Sequence, residues 1–197
     1  MNTLVRTWLS LKHRRKFARL GKRCQFPIEL VNIYGHVEMG DRCRFRNNAT
    51  CRTWGEGKIL FGNRTGLSWG CLVEAHELVT IGAYAGIAEY TYITDTHYCF
   101  QNTETGWQAA PVETAPVHIG ENTFIGSGCF IGPGVTIGDS AVVGNHSVVL
   151  SDVGPLEIWV GNPARKIGHR TEGVPEAKLQ EYRDLVAKQG IQEDRYE

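Results

Sequence analysis

The sequence has no long apolar run, no paired-cysteine spacing and no net charge. Its uninterrupted apolar stretches end after a few residues, well short of the roughly 20 that span a bilayer. Its first residues hold no secretory apolar segment. The six cysteines, Cys24, Cys43, Cys51, Cys71, Cys99 and Cys129, form neither C-x-x-C pairs nor zinc-finger spacings. In a chain of 197 residues they read as reduced, mostly buried thiols, which points to a cytoplasmic setting. A P-loop and a dinucleotide glycine fingerprint are both missing. With 42% apolar and 21% charged residues, the composition excludes a disordered or supercharged chain and suits one soluble domain with a core.

Charge is balanced, at 21 Lys+Arg against 21 Asp+Glu, but it is not evenly spread. Residues 1–28 carry eight basic side chains (Arg6, Lys12, Arg14, Arg15, Lys16, Arg19, Lys22, Arg23) and no acid, leaving 13 basic against 21 acidic in the remainder. Such a head is either simply solvated or set against anionic lipid at the inner membrane face. No nucleic-acid partner is expected.

What the chain does have is glycine, 23 residues, and a repeat. Ile119, Ile125, Ile131, Ile137, Val143 and Val149 stand six apart, and Gly120, Gly126, Gly132, Gly138 and Gly144 follow the first five. Four positions after those aliphatics come Thr123, Cys129, Val135, Ala141 and Ser147, all small or β-branched. The phase extends upstream through Met39-Phe45-Cys51, Phe61-Leu67-Val73 and Ile81-Ile87-Ile93, with jumps of ten, eight and twenty-six residues between sets. Neither a helix period nor simple alternation gives this pattern. One short strand and one corner per six residues does, with the aliphatic turned inward. Three units make an 18-residue triangular coil, and the coils 39–51, 61–73, 81–93, 119–131 and 137–149 are expected to stack as a parallel β-helix. Glycine beside the inward aliphatic suits a corner where a Cβ would clash or φ is unusual.

Both ends of the stack have candidate caps. Leu4, Trp8, Leu11 and Leu20 lie near helical spacing before Gly21, and Pro175 opens a stretch that places Leu179, Tyr182, Leu185 and Val186 on one face. The expected organisation is a basic helical segment over 1–28, a β-helix over 29–168 and a helical tail over 169–197.

At 119–167 the segment IGENTFIGSGCFIGPGVTIGDSAVVGNHSVVLSDVGPLEIWVGNPARKI resembles the C-terminal half of hexapeptide-repeat acyltransferases, most of all the maltose, galactoside and capsular or colanic-acid O-acetyltransferase branch. The likeness covers about 37–168, and the GNPARKI ending is its most specific element. It implies a left-handed parallel β-helix, a homotrimer, and acetyl-CoA in the groove between neighbouring β-helices. It also implies Ser127 and Asn145 along the pantetheine route and Arg165 and Lys166 near the nucleotide phosphates. The chain departs from the family at Phe124, where a Trp is usual, at Asn145-His146, where a small pair is usual, and at Leu150-Ser151-Asp152.

The long interruption 94–118 leaves the rigid coils as one protruding loop, and His97 stands at its start. A neutral imidazole is the side chain suited to removing a proton from an alcohol near pH 7. His97 also matches the family's catalytic histidine, which follows a strand in a T-x-x-H-P-like turn, with Tyr98 in place of Pro. A carboxylate holding its other nitrogen would fix the tautomer. Among Glu89, Asp95, Glu104 and Glu113, the first two are preferred. His118 and His146 are further candidates, while His13, His36, His76 and His169 read as structural. The implied reaction is direct acetyl transfer from acetyl-CoA, without a metal, to a hydroxyl of a sugar or glycan precursor. N-acetylation of an amino sugar or of an antibiotic is the alternative. A carbonic anhydrase on the same fold needs two histidines five residues apart, and no such pair occurs. A noncatalytic scaffold is the remaining class. Trp54, Trp69, Trp107 and Tyr98 suit either sugar stacking or packing.

Overall fold

The computed structural model describes residues 14–27, 31–101, 106 and 109–188. β1 (Arg19–Leu20) and β2 (Asn32–Tyr34) belong to an incomplete first turn. Five full coils follow in the expected phase. They are β3 (His36–Met39), β4 (Arg44–Phe45) and β5 (Thr50–Thr53); β6 (Lys58–Phe61), β7 (Gly66–Leu67) and β8 (Leu72–Ala75); and β9 (Leu78–Ile81), β10 (Gly86–Ile87) and β11 (Tyr92–Thr94). After an antiparallel ribbon, β12 (Thr96–Tyr98) and β13 (Val112–Thr114), come β14 (Val117–Ile119), β15 (Phe124–Ile125) and β16 (Phe130–Ile131). The last full coil is β17 (Thr136–Ile137), β18 (Val142–Val143) and β19 (Val148–Val149), closed by the hairpin β20 (Glu157–Gly161) and β21 (Ala164–His169); the largely exposed helix α1 (Glu176–Lys188) follows.

Stacking the coils makes three parallel sheets. The first face runs β1-β3-β6-β9-β14-β17, the second β4-β7-β10-β15-β18-β20-β21, and the third β2-β5-β8-β11-β16-β19. Register repeats coil by coil, as in Phe45 beside Leu67 and Ile93 beside Ile131. The inward residues form one continuous core in which Ile59, Val73, Ile93, Ile125, Ile131 and Val143 are wholly buried. At its N-terminal end the core turns aromatic. Phe17, Phe26, Phe45 and Phe61 pack in sequence with ring centroids 5.2–5.5 Å apart at the outer contacts and 6.1 Å between Phe26 and Phe45.

The corners explain the sequence pattern more closely than periodicity does. A Cβ on Gly40, Gly62, Gly82, Gly120 or Gly138 would come within 2.5–2.7 Å of atoms of the next coil, so these glycines serve close approach. Positive φ falls two residues later, on Arg42, Arg64, Tyr84, Asn122 and Ser140, at 52–60°. Of the two expected reasons for these glycines, close approach is the one the structure shows, and the unusual φ falls on a different residue. The small residues four positions after the inward aliphatics also have a role. Thr65, Thr91 and Thr123 donate hydroxyls to corner carbonyls at 2.9–3.1 Å, and Ser147 donates at 2.6 Å. Cys43, Cys71 and Cys129 donate thiols to the same kind of carbonyl at 3.0–3.1 Å. These corner carbonyls thus find donors within the protein. All six cysteines are free, and five are buried. Burial pushes the Cys51 and Cys129 thiols up, away from the thiolate.

The caps differ from expectation at one end. Arg19–Leu20 is a strand beside Glu38–Met39, not the last turn of a helix, while Leu4, Trp8 and Leu11 lie outside the described residues. This incomplete turn escaped the six-residue phase because Leu20, Phe26 and Ile33 are spaced six and then seven apart. The C-terminal helix forms where expected, but Leu185 on it is exposed.

Candidate functional site

Two features break the regularity of the coils: a groove on the second face and the ribbon that leaves the third. The groove, of about 560 Å³, is floored by the outward positions Gly66 and Gly86 and bounded by Arg44, Arg46 and Phe124. Glu89, Ser127 and Asn145 line its edge at the corner leading to the third face. Glu89 accepts hydrogen bonds from Ser68 Oγ at 2.7 Å and Ser127 Oγ at 2.8 Å, on the coils either side of it. The hydroxyl of Ser68, then Glu89's own backbone amide and the Ser127 hydroxyl, hold the Glu89 carboxyl below the usual carboxylate range. Asn145 accepts from the Ser127 amide at 3.0 Å. The edge is a fixed, ionised, polar track.

His97 sits elsewhere. β12 and β13 pair antiparallel, which places Glu113 directly across from His97, with Nε2 3.3 Å from Glu113 Oε2. Both side chains are solvent-accessible, at 46% and 67% exposed. With Nε2 turned to the carboxylate, the imidazole lone pair is left on Nδ1, the arrangement a general base requires. Glu113 also bonds the Cys99 thiol and pushes it up.

The expected partnership of Asp95 with His97 is not what the fold builds. Asp95 is wholly buried and accepts from the His76, Glu77 and Leu78 amides at 2.8–2.9 Å and from Thr96 Oγ1 at 2.8 Å. Its carboxylate ties the start of the ribbon to the corner of the preceding coil. Glu89, the other preferred partner, belongs to the groove on another face. Glu104 lies outside the described residues. Glu113 was one of four acids near His97 in sequence, and only the register of the ribbon singles it out.

The remaining residues fall into place by column. Arg165 and Lys166 lie on β21, at the C-terminal end of the face that carries the groove. Lys166 Nζ donates to Glu157 Oε1 at 2.8 Å, and that contact, with Trp159 Nε1 and the Gly154 amide, lowers the Glu157 carboxyl to about 2. Arg165 donates to the carbonyl of its neighbour Ala164 and is exposed. His118 lies on the first face, 2.8 Å from Thr80 Oγ1, and the His146 ring covers Gly128 at a corner. His76 stacks on Trp54 with centroids 5.8 Å apart, and His36 pairs with Glu38 at 3.0 Å. On the third face Trp54, Tyr92, Tyr98 and Phe130 surround a second cavity of about 390 Å³, whereas Trp69 lies under Arg46. Trp107 is outside the described residues. The structure therefore gathers Glu89, Ser127 and Asn145 into one groove and leaves His97, Asp95, Arg165 and Lys166 outside its lining.

Residues 116–151 match the family model described as bacterial transferase hexapeptide (six repeats). Those residues carry the six-residue repeat that this model describes. Among curated proteins, no sequence matches the chain. Among solved structures it resembles AntD, an N-acyltransferase from Bacillus cereus in complex with dTDP and 3-hydroxybutyryl-CoA. That likeness has a TM-score of 0.71 at 23% identity and covers 90% of this chain and 96% of AntD. A hexapeptide-repeat-containing acetyltransferase of Vibrio cholerae O1 biovar eltor, complexed with acetyl coenzyme A, superposes with a TM-score of 0.61 at 23% identity, over 87% of this chain and 80% of that one. Galactoside acetyltransferase in complex with coenzyme A gives 0.61 at 24%, over 87% and 74%. Together with the hexapeptide repeats these likenesses establish the left-handed parallel β-helix.

Proposed function

We propose that the chain is an acyl-CoA-dependent O-acetyltransferase acting on a hydroxyl of a sugar or glycan precursor, with His97 as general base. The observation that carries this reading is the His97–Glu113 pair on the ribbon, which leaves Nδ1 ready for a proton. In the reaction Nδ1 takes the acceptor's hydroxyl proton as its oxygen attacks the thioester carbonyl carbon. The carbon–sulfur bond then breaks, and the imidazolium returns the proton to the leaving thiolate. The new ester remains on the acceptor.

Groove and base lie on different sides of one chain, separated by the third face. We therefore propose a homotrimer in which the ribbon of one subunit meets the groove of the next. The thiol arm would follow Asn145, Ser127 and Glu89, with the phosphates toward Arg165 at β21. N-acylation of an amino sugar is the second reading, favoured by the likeness to AntD, itself an N-acyltransferase. Parallel assays of sugar hydroxyl and amino-sugar acceptors with acetyl-CoA separate the two. Light scattering on the native protein should give about three times 22.0 kDa, and an active monomer would end the shared-site reading.

A further inference from the structure

Gly66 and Gly86 differ from the corner glycines. Neither has a positive φ, and a Cβ on either would meet nothing closer than 3.8 Å and 3.6 Å, respectively. The fold needs glycine at neither place, yet glycine in a strand weakens it and marks a close approach by something else. Both point outward on the second face, in one column with Arg44 before them and Phe124 after. Two consecutive coils without side chains leave a furrow about 14 Å long between the flanking Cα atoms, at roughly 4.8 Å per coil. Its floor is glycine backbone, with Ala88 beside it and Phe124 at the C-terminal end. Its N-terminal end is shut by Arg44, which bonds Gln25 Oε1 at 3.0–3.1 Å, and by Arg46 over Trp69 at 4.9 Å.

We propose that this furrow is an acyl pocket that admits a short acyl chain longer than acetyl. The inference rests on the acyl-CoA reading above and concerns the size of the group transferred. A thiol arm on the polar track of Asn145, Ser127 and Glu89 delivers its acyl end toward the N-terminal coils, where the bare floor of Gly86 and Gly66 lies beside the track's continuation in Ser68. An acetyl group leaves most of that floor uncovered, whereas a chain of about four carbons reaches from one bare coil to the next, roughly 4.8 Å away. The guanidinium groups of Arg44 and Arg46 set the upper limit and exclude long fatty chains.

Calorimetric binding of coenzyme A, acetyl-CoA and butanoyl-CoA to the native protein, Gly86→Val and Gly66→Val tests this without any acceptor. Butanoyl-CoA should bind the native protein at least as tightly as acetyl-CoA. Either valine should weaken butanoyl-CoA at least tenfold while coenzyme A stays within about twofold. Gly86→Ala, whose added methyl meets no atom closer than 3.6 Å, supplies a milder variant if valine disturbs folding, and it should show the same order with a smaller loss. Acetyl-CoA binding more than tenfold tighter than butanoyl-CoA, or a folded variant with unchanged preference, would overturn the acyl pocket alone. A native protein that binds no coenzyme A overturns the acyltransferase reading together with it.

Discussion

In the coils every position answers to the residue one turn above or below it. The ribbon at 96–98 and 112–114, by contrast, is held by its own antiparallel register, by Asp95 at its root and by Thr114 donating to Glu77 at 2.9 Å. The interior of the coils is apolar and repetitive, and its hydroxyls and thiols donate to corner carbonyls. The ribbon is wet, and it keeps a histidine and a carboxylate at 3.3 Å with room for a third party. The regular packing and the His97–Glu113 pair belong to separate pieces of chain, so a substitution in one should leave the other's observable alone.

The largest separation is expected at His97. His97→Ala should lower kcat by roughly 10²–10⁴ with melting temperature and coenzyme A affinity unchanged. Near-native turnover by a folded His97→Ala protein on its acceptor would dissolve the distinction and turn attention to His118 and His146. The corner glycines should behave in the opposite way. Gly120→Val places a Cβ 2.5 Å from Asp139 Oδ1 and 2.7 Å from its amide, and overpacking of this kind costs about 1–3 kcal/mol or more. Melting should fall steeply while kcat of the surviving folded enzyme holds.

Asp95→Asn sharpens the comparison at the joint between the two pieces. It weakens an acceptor shared by the amides of residues 76–78, a loss of about 1–3 kcal/mol for buried donors left short of a partner. The pH profile of kcat should keep its shape, because Asp95 does not touch the imidazole; a displaced acid limb would make Asp95 part of the base after all. The smallest effect belongs to the closing hairpin. Glu157 has a folded carboxyl depressed to about 2, held first by Lys166. Its contribution is present above the unfolded value near 4.3 and is lost as pH falls from there toward 2. Glu157→Gln should remove that contribution at neutral pH and flatten the stability curve in that window, so that variant and native protein converge near pH 2. A curve of native shape would show that Lys166 is free to meet phosphate.

The five coils were legible because their signal is local: an inward aliphatic every six residues, and a glycine where the next coil comes too close. Which corner residue takes positive φ was not, since Arg42, Tyr84 and Ser140 share no side-chain type. The furrow was hidden for a related reason, because Gly66 and Gly86 look like any other glycine until outward and corner columns are told apart. At the site, His97 stood out where the repeat stopped, and Ser127 and Asn145 through a resemblance. Glu113 lies sixteen residues from His97 across an interruption without periodicity, and only strand pairing brings them together. Asp95 misled because its partners, seventeen to nineteen residues upstream, are neighbours only once coils stack.

β21 runs antiparallel to β20, the last strand of an otherwise parallel second face. A parallel stack is its own template: the open end of each sheet offers the hydrogen-bonding pattern that the next coil, from the same molecule or another, would copy. Reversing the final strand offers a newcomer an edge of the wrong polarity and studs it with Arg165 and Lys166. On that face the parallel ladder ends at β20, and a second copy stacking head-to-tail would meet a reversed, basic edge instead of a template.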